Sequence, residues 1–143
     1  MPIRSAKAQW QGDFKRGAGS VSTETGVLDS PYNAAGRFES GTGTNPEELL
    51  GAAHASCFTM ALSLGLAQAG TPPDSLATEA NVTIEPVEGG FGITKIHLSV
   101  TGKVPGLDAD GFAAAAQGAK EGCPVSKALA SVPEITLETA FEG

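Results

Sequence analysis

Between Glu48 and Asp74 the chain carries no formal charge, and no other feature restricts its fold as much. A tract like this lies either in a bilayer or against other protein. A span needs about 20 mostly apolar residues, whereas Gly51, His54, Ser56, Thr59, Ser63, Gly65 and Gln68 interrupt this one. The tract therefore reads as a helix buried inside protein. Its start is well marked by Thr44-Asn45-Pro46-Glu47-Glu48. Asn45 can cap, Pro46 suits the first helical position, and two acids sit at the positive end of the dipole. Gly70 and Pro72 predict an end near Gln68.

The rest of the chain is arranged around that helix. Residues 6–40 read as short strands punctuated by Gly17-Ala18-Gly19 and Gly26. Strands at 78–87 and 91–104 are joined at Glu88-Gly89-Gly90 as a hairpin. In the second, Ile96, Leu98 and Val100 face one way, and Lys95, His97 and Ser99 the other. His97 on that polar side reads as solvated. Asp108 or Asp110 can cap a helix ending near Gly122, a short helix follows over 124–130, and Ile135, Leu137, Thr139 and Phe141 alternate in a last strand. Strands, a long helix, a hairpin and further helices make an α+β order, with no strand-helix alternation for a doubly wound sheet. With 143 residues and no long linker or repeat, one domain over 1–143 is expected.

Charge and cysteine usage remove several classes of function. Nine Lys and Arg against 16 Asp and Glu leave a net charge of −7, which argues against nucleic acid and anionic membranes as partners. Gly41-Thr42-Gly43-Thr44 lacks the G-K-[ST] ending of a phosphate loop. The first residues lack the apolar segment of a secretory signal, so a cytoplasmic location is expected and the sequon Asn81-Val82-Thr83 carries no meaning. Cys57 and Cys123 are the only cysteines. They are too few for a disulfide scaffold, and no Cys/His cluster offers four zinc ligands.

The two thiols and their neighbours hold what chemistry there is. Cys57 lies on the stripe Leu50, Ala53/His54, Cys57, Ala61, Leu64 at helical spacing, where a cysteine is either a small core hydrophobe or a nucleophile activated by a cation. Arg37 is the only Lys or Arg between Arg16 and Lys95. It is a local ion-pair partner or the guanidinium that lowers the Cys57 pKa. Glu47 is a helix N-terminal acid or the group that fixes Arg37. It lies about 15 Å along the helix from Cys57 and about 80° around it, so one side chain cannot bridge the gap. His54, three residues before Cys57, is a core histidine or half of a Cys–His nucleophile pair. Cys123 precedes Pro124 and sits near a helix N-cap, where N–H groups favour a thiolate. By position alone Cys123 is the more reactive thiol and Cys57 the more buried.

Thr44-Asn45-Pro46-Glu47-Glu48-Leu49-Leu50-Gly51-Ala52-Ala53-His54-Ala55-Ser56-Cys57-Phe58 resembles the central-helix motif of the OsmC/Ohr family, and Gly122-Cys123-Pro124-Val125-Ser126-Lys127-Ala128 resembles its second cysteine motif. The likeness extends over the whole chain, and Gly51-Ala52-Ala53-His54 is closer to the OsmC branch. The resemblance implies a thiol-dependent peroxidase that reduces organic hydroperoxides and hydrogen peroxide. Carried over by position, Cys57 is the peroxidatic thiol, Cys123 the resolving thiol, and Arg37 with Glu47 the activating pair. The implied fold is an intertwined homodimer with antiparallel sheets wrapped around long central helices. That arrangement lets Glu47 come from the partner chain, and it reverses the ranking of the thiols by helix position. The implied chemistry needs no metal, haem or flavin, only an external dithiol as reductant, of which a lipoyl group is one type. Two other readings remain at this point: a non-enzymatic redox-sensing thiol protein and a Cys–His hydrolase.

Overall fold

The N-terminal sheet is built from short strands, as the glycine punctuation predicts. In the computed structural model, which describes residues 1–143, β1 (Ala6–Gln11), β2 (Ala18–Thr23) and β3 (Asp29–Tyr32) pair antiparallel in that order. The rings of Trp10 and Tyr32 meet edge to face at 5.3 Å, and the indole N–H donates to the Gly12 carbonyl at 3.0 Å. Sequence reading expects only strands here, but a short helix α1 (Ala34–Phe38) intervenes. Asn33 nucleates it, its side chain accepting from the Gly36 N–H at 2.8 Å. Gly43 then takes φ +90°, a left-handed turn that favours glycine. That turn delivers the Thr44 N–H to the Pro31 carbonyl at 3.2 Å and the Ser30 hydroxyl at 3.0 Å.

Helix α2 spans Pro46–Gln68. Its cap is the predicted one, with the Asn45 side chain accepting from the Glu48 N–H at 2.8 Å. Its C-terminus closes at Gly70, φ +89°, where the Thr71 N–H returns to the Leu66 carbonyl at 2.9 Å. The chain divides within this helix into two units, Met1–Leu49 and Leu50–Gly143.

In the second unit β4 (Ser75–Val87) and β5 (Gly90–Lys103) form the predicted hairpin. Helices α3 (Ala109–Gly122) and α4 (Pro124–Ala128) follow, then β6 (Glu134–Phe141). Asp108 caps α3, accepting from the Gly111 N–H at 2.7 Å. The sheet order is β4-β5-β6. The expected antiparallel pairing holds for β1–β3 and for β4 with β5, but β6 runs parallel to β5. A helical crossover through α3 and α4 returns the chain in the same direction, which a tight turn cannot do.

The core of this unit draws Phe58, Leu62 and Leu66 from α2, Ile96, Leu98 and Val100 from β5, and Phe112, Ala116 and Ala119 from α3. Thr59 of α2 donates to Thr78 of β4 at 2.7 Å. The buried line of α2 is therefore Gly51, His54, Phe58, Leu62, Leu66, rotated from the stripe expected. Cys57 and Ala61 flank it, half-buried, and Leu64 is 60% exposed. Phe58 is fully buried core, whereas Met60 is 74% exposed. Only 22% of the most apolar window of α2 is buried, although its mean hydropathy of 1.5 and length would pass for a span. The expectation of a helix buried inside protein thus holds for one face within this chain. His97 is also better tethered than its polar face suggests: Nδ1 lies 2.6 Å from the Thr136 hydroxyl and Nε2 3.5 Å from Glu138.

Candidate active site

The four residues singled out from sequence form two pairs, one in each unit. In the first, Arg37 stands in the last turn of α1 and Glu47 in the first turn of α2. Nε donates to Oε1 at 2.9 Å and Nη2 to Oε2 at 3.1 Å, a two-pronged grip that only a planar guanidinium makes. Glu47 is 6% exposed, while a third of the Arg37 side chain remains open. The Phe38 ring lies 5.6 Å from the guanidinium carbon. Both residues belong to the same chain, so whichever chain brings Glu47 to a site brings Arg37 with it.

The second pair is Cys57 on α2 and Cys123 at the N-cap of α4. Both are free thiols, close enough for each to shift the other's ionisation. Cys123 is completely buried and Cys57 half-buried, the reverse of the order expected from helix position. Burial pushes the Cys57 thiol up, and the neighbouring Cys123 pushes it further than the Val125 N–H can offset. For Cys123 burial acts in the same direction. Hydrogen bonds from the Ser126 side chain and N–H, from Cys57 and from Val125 together outweigh it and hold this thiol below its ordinary range. The cap geometry is the cause: Cys123 Sγ accepts from the Ser126 N–H at 3.3 Å and lies 3.4 Å from the Ser126 hydroxyl. The expectation that Cys123 gains thiolate character from a helix start is met, through named donors. Cys57 has only the Val125 N–H for support within its unit, and that does not outweigh burial.

Ser126 and the partner of His54 were not legible in the sequence. His54 is completely buried, and its Nε2 lies 2.7 Å from Ser126 Oγ. The ring therefore serves Ser126 and not Cys57, which removes the Cys–His nucleophile pair. Its Nδ1 is buried without a hydrogen-bond partner, so no carboxylate orients it as a hydrolytic triad requires. Desolvation lowers the His54 pKa and keeps the ring neutral. The sequence signals for Ser126 are its place three residues after a capping Cys123 and its membership of the second cysteine motif. No group of His, Cys, Asp or Glu side chains is arranged to hold a metal ion.

The OsmC-like protein family model matches residues 39–138, a range that holds Glu47 and both cysteines and leaves Arg37 two residues outside. Peroxiredoxin OsmC of Escherichia coli (strain K12) is 54% identical over 136 residues, 94% of either chain. The organic hydroperoxide resistance protein of Xanthomonas axonopodis pv. citri (strain 306) is 35% identical over 101 residues, 70% of this chain and 69% of that one. The crystal structure of the organic hydroperoxide resistance protein OhrB of Bacillus subtilis superposes with a TM-score of 0.69 at 28% identity, covering 96% of this chain and 98% of that one. The α+β fold, the two cysteine motifs and these relatives agree, and the chain belongs to the OsmC-like protein family.

Proposed function

We propose that this chain is a peroxidase of hydroperoxide defence, a thiol-dependent reductase of organic hydroperoxides and hydrogen peroxide acting as one domain over 1–143. The observation that carries the reading is the thiol pair itself. One sulfur is reachable and one is sealed, and each shifts the other's ionisation, in a chain 54% identical to a peroxiredoxin.

The chemistry follows from that asymmetry. The Cys57 thiolate attacks the distal peroxide oxygen and the O–O bond breaks. Cys57 becomes a sulfenic acid, and an alcohol or water leaves after taking a proton. Cys123 then attacks the Cys57 sulfur, the S–O bond breaks, and a disulfide forms with release of water. An external dithiol reduces that disulfide by exchange. Because burial and Cys123 both raise the Cys57 pKa, the first step needs a fixed positive charge. Arg37, locked by Glu47, is our assignment for it. A reducing compartment such as the cytoplasm suits two thiols that cycle rather than staple.

A homodimer completes the reading. Met60 and Leu64 project from the face of α2 opposite the core, and a second copy would cover that apolar surface.

The deciding experiment is peroxide consumption with a dithiol reductant. Wild type consumes many equivalents per chain and Cys57→Ser none above background. Wild-type turnover by Cys57→Ser, or a single oxidation of the wild type without turnover, overturns the proposal.

A further inference from the structure

One buried titratable side chain has no part in the chemistry above. His54 sits within the core of the second unit, fully inaccessible, with Nε2 2.7 Å from Ser126 Oγ and Nδ1 unpartnered. A histidine in that position costs stability, since one of its ring nitrogens is left unsatisfied. An apolar side chain of similar volume would fill the space without that cost. The ring also does not end at the serine. Ser126 Oγ is itself 3.4 Å from Cys123 Sγ, and the ionisation of Cys123 is linked to that of Cys57. A continuous line of donors and acceptors therefore runs from His54 through Ser126 to the thiol assigned as resolving.

We propose that His54 is a positioning residue for disulfide closure: acting through Ser126, it takes up the proton of Cys123 as the sulfur attacks and returns it as water leaves. The proposal rests on the resolving role of Cys123. In the resting state the Cys123 S–H donates to Ser126 Oγ, and the Ser126 O–H donates to Nε2. When Cys123 attacks, Ser126 takes the sulfur's proton and passes its own to Nε2. The S–S bond forms with the electron pair of Cys123, the S–O bond of the Cys57 sulfenic acid breaks, and hydroxide departs. The proton held on His54 comes back through Ser126 to that hydroxide, so a sulfenic acid and a thiol become a disulfide and water with no other reactant. Burial suits the ring to this temporary duty. Desolvation destabilises its charged form, so the proton is given up readily, and the orphaned Nδ1 pushes the same way.

The groups around Cys123 leave no obvious substitute. Its titratable neighbours are Cys57 and, through Ser126, His54, and its hydrogen-bond partners are Ser126 and the Val125 N–H. Cys123 belongs to a core cluster that is otherwise apolar, Ile96, Leu98 and Ala119 among its members.

Single-turnover kinetics test the inference. Sulfenic acid formation and disulfide closure are resolved by trapping with a sulfenic-acid reagent and intact-mass analysis. In Ser126→Ala and His54→Gln, closure should slow by at least about tenfold relative to the first step, the loss expected for one charge-assisted hydrogen bond. In a Cys57→Ser background, the ultraviolet absorbance of the Cys123 thiolate should appear at higher pH when Ser126 is replaced by alanine. Ser126→Ala removes one oxygen atom and keeps the fold testable if His54→Gln does not fold. Closure at the wild-type rate with an unmoved thiolate titration in Ser126→Ala overturns the relay. Cys123→Ser separates the two readings: if it turns over with the dithiol like wild type, the resolving role itself fails.

Discussion

Arg37 grips both carboxylate oxygens of Glu47, Nε to Oε1 at 2.9 Å and Nη2 to Oε2 at 3.1 Å. The carboxylate is almost fully buried, while a third of the Arg37 side chain stays open. An ion pair built only for stability has no reason to leave its cation so accessible. Nε and Nη2 on one edge of the guanidinium hold it in place.

That geometry makes Arg37→Lys a severe change. Lysine keeps the charge but loses the fork, so the second-order rate of Cys57 oxidation should fall about 10- to 100-fold, the equivalent of one or two charge-assisted hydrogen bonds. Stopped-flow measurement with an organic hydroperoxide checks it. A lysine variant that reacts at the wild-type rate removes Arg37 from the chemistry. Glu47→Gln should lower the same rate and also cost about 1–3 kcal/mol of stability, since one prong of the pair becomes mismatched in a buried place.

Replacing Cys123 by serine leaves the peroxide-reactive sulfur without its internal trap. After one equivalent of peroxide, Cys57 should persist as sulfenic acid, and with excess peroxide it should advance to sulfinic acid. Intact mass then rises by one and later two oxygen atoms, whereas wild type loses two hydrogens. Multiple turnover with a dithiol should drop sharply. Full turnover by Cys123→Ser would show that the external reductant, not Cys123, resolves the sulfenic acid.

Much of this arrangement follows from local signals, and the departures share a cause. Asn45 and Asp108 cap where their types and spacing say they should, because a cap depends on neighbours three residues away. Ile96, Leu98 and Val100 point into the core because a strand alternates regardless of what covers it. On α2, apolar residues surround the axis, so the helix itself does not decide which line is buried. The sheet beneath decides it, selecting Phe58, Leu62 and Leu66 and leaving Met60 and Leu64 outside. The parallel pairing of β6 and the Ser126 bond to His54, 72 positions apart, are likewise long-range outcomes with no local signature. Arg37 and Glu47 were legible as a candidate pair through the scarcity of cations, but their two-pronged contact was not.

Acid should weaken this fold through His54. Its folded-state pKa lies below the ordinary 6.5 because burial disfavours the charged ring. The unfolded chain therefore binds the extra proton first as pH falls. The contribution is fully present above pH 6.5 and is lost as pH drops below it towards the folded-state value. Thermal midpoints from pH 8 down to pH 5 should decline for wild type and decline less for His54→Gln, which has nothing to titrate at that position. Parallel curves for the two proteins would place the acid sensitivity elsewhere.

The outer face of α2 gives the last test. Met60 is 74% exposed and Leu64 60%, one turn apart on the most apolar helix of the chain. Burying each against a second copy is worth about 1.5–3 kcal/mol. A carboxylate at either position would have to be desolvated without a partner, which costs more than the apolar contact gains. Met60→Glu and Leu64→Glu should each weaken self-association by at least about tenfold to a hundredfold. In sedimentation equilibrium the wild type should then behave as a dimer at concentrations where the variants are monomers. The thermal midpoint of the wild type, and less so that of the variants, should rise with protein concentration, as mass action requires of a fold completed by its partner. If wild type sediments as a monomer with full peroxidase activity, the apolar face of α2 is no dimer surface and the proposed homodimer is wrong.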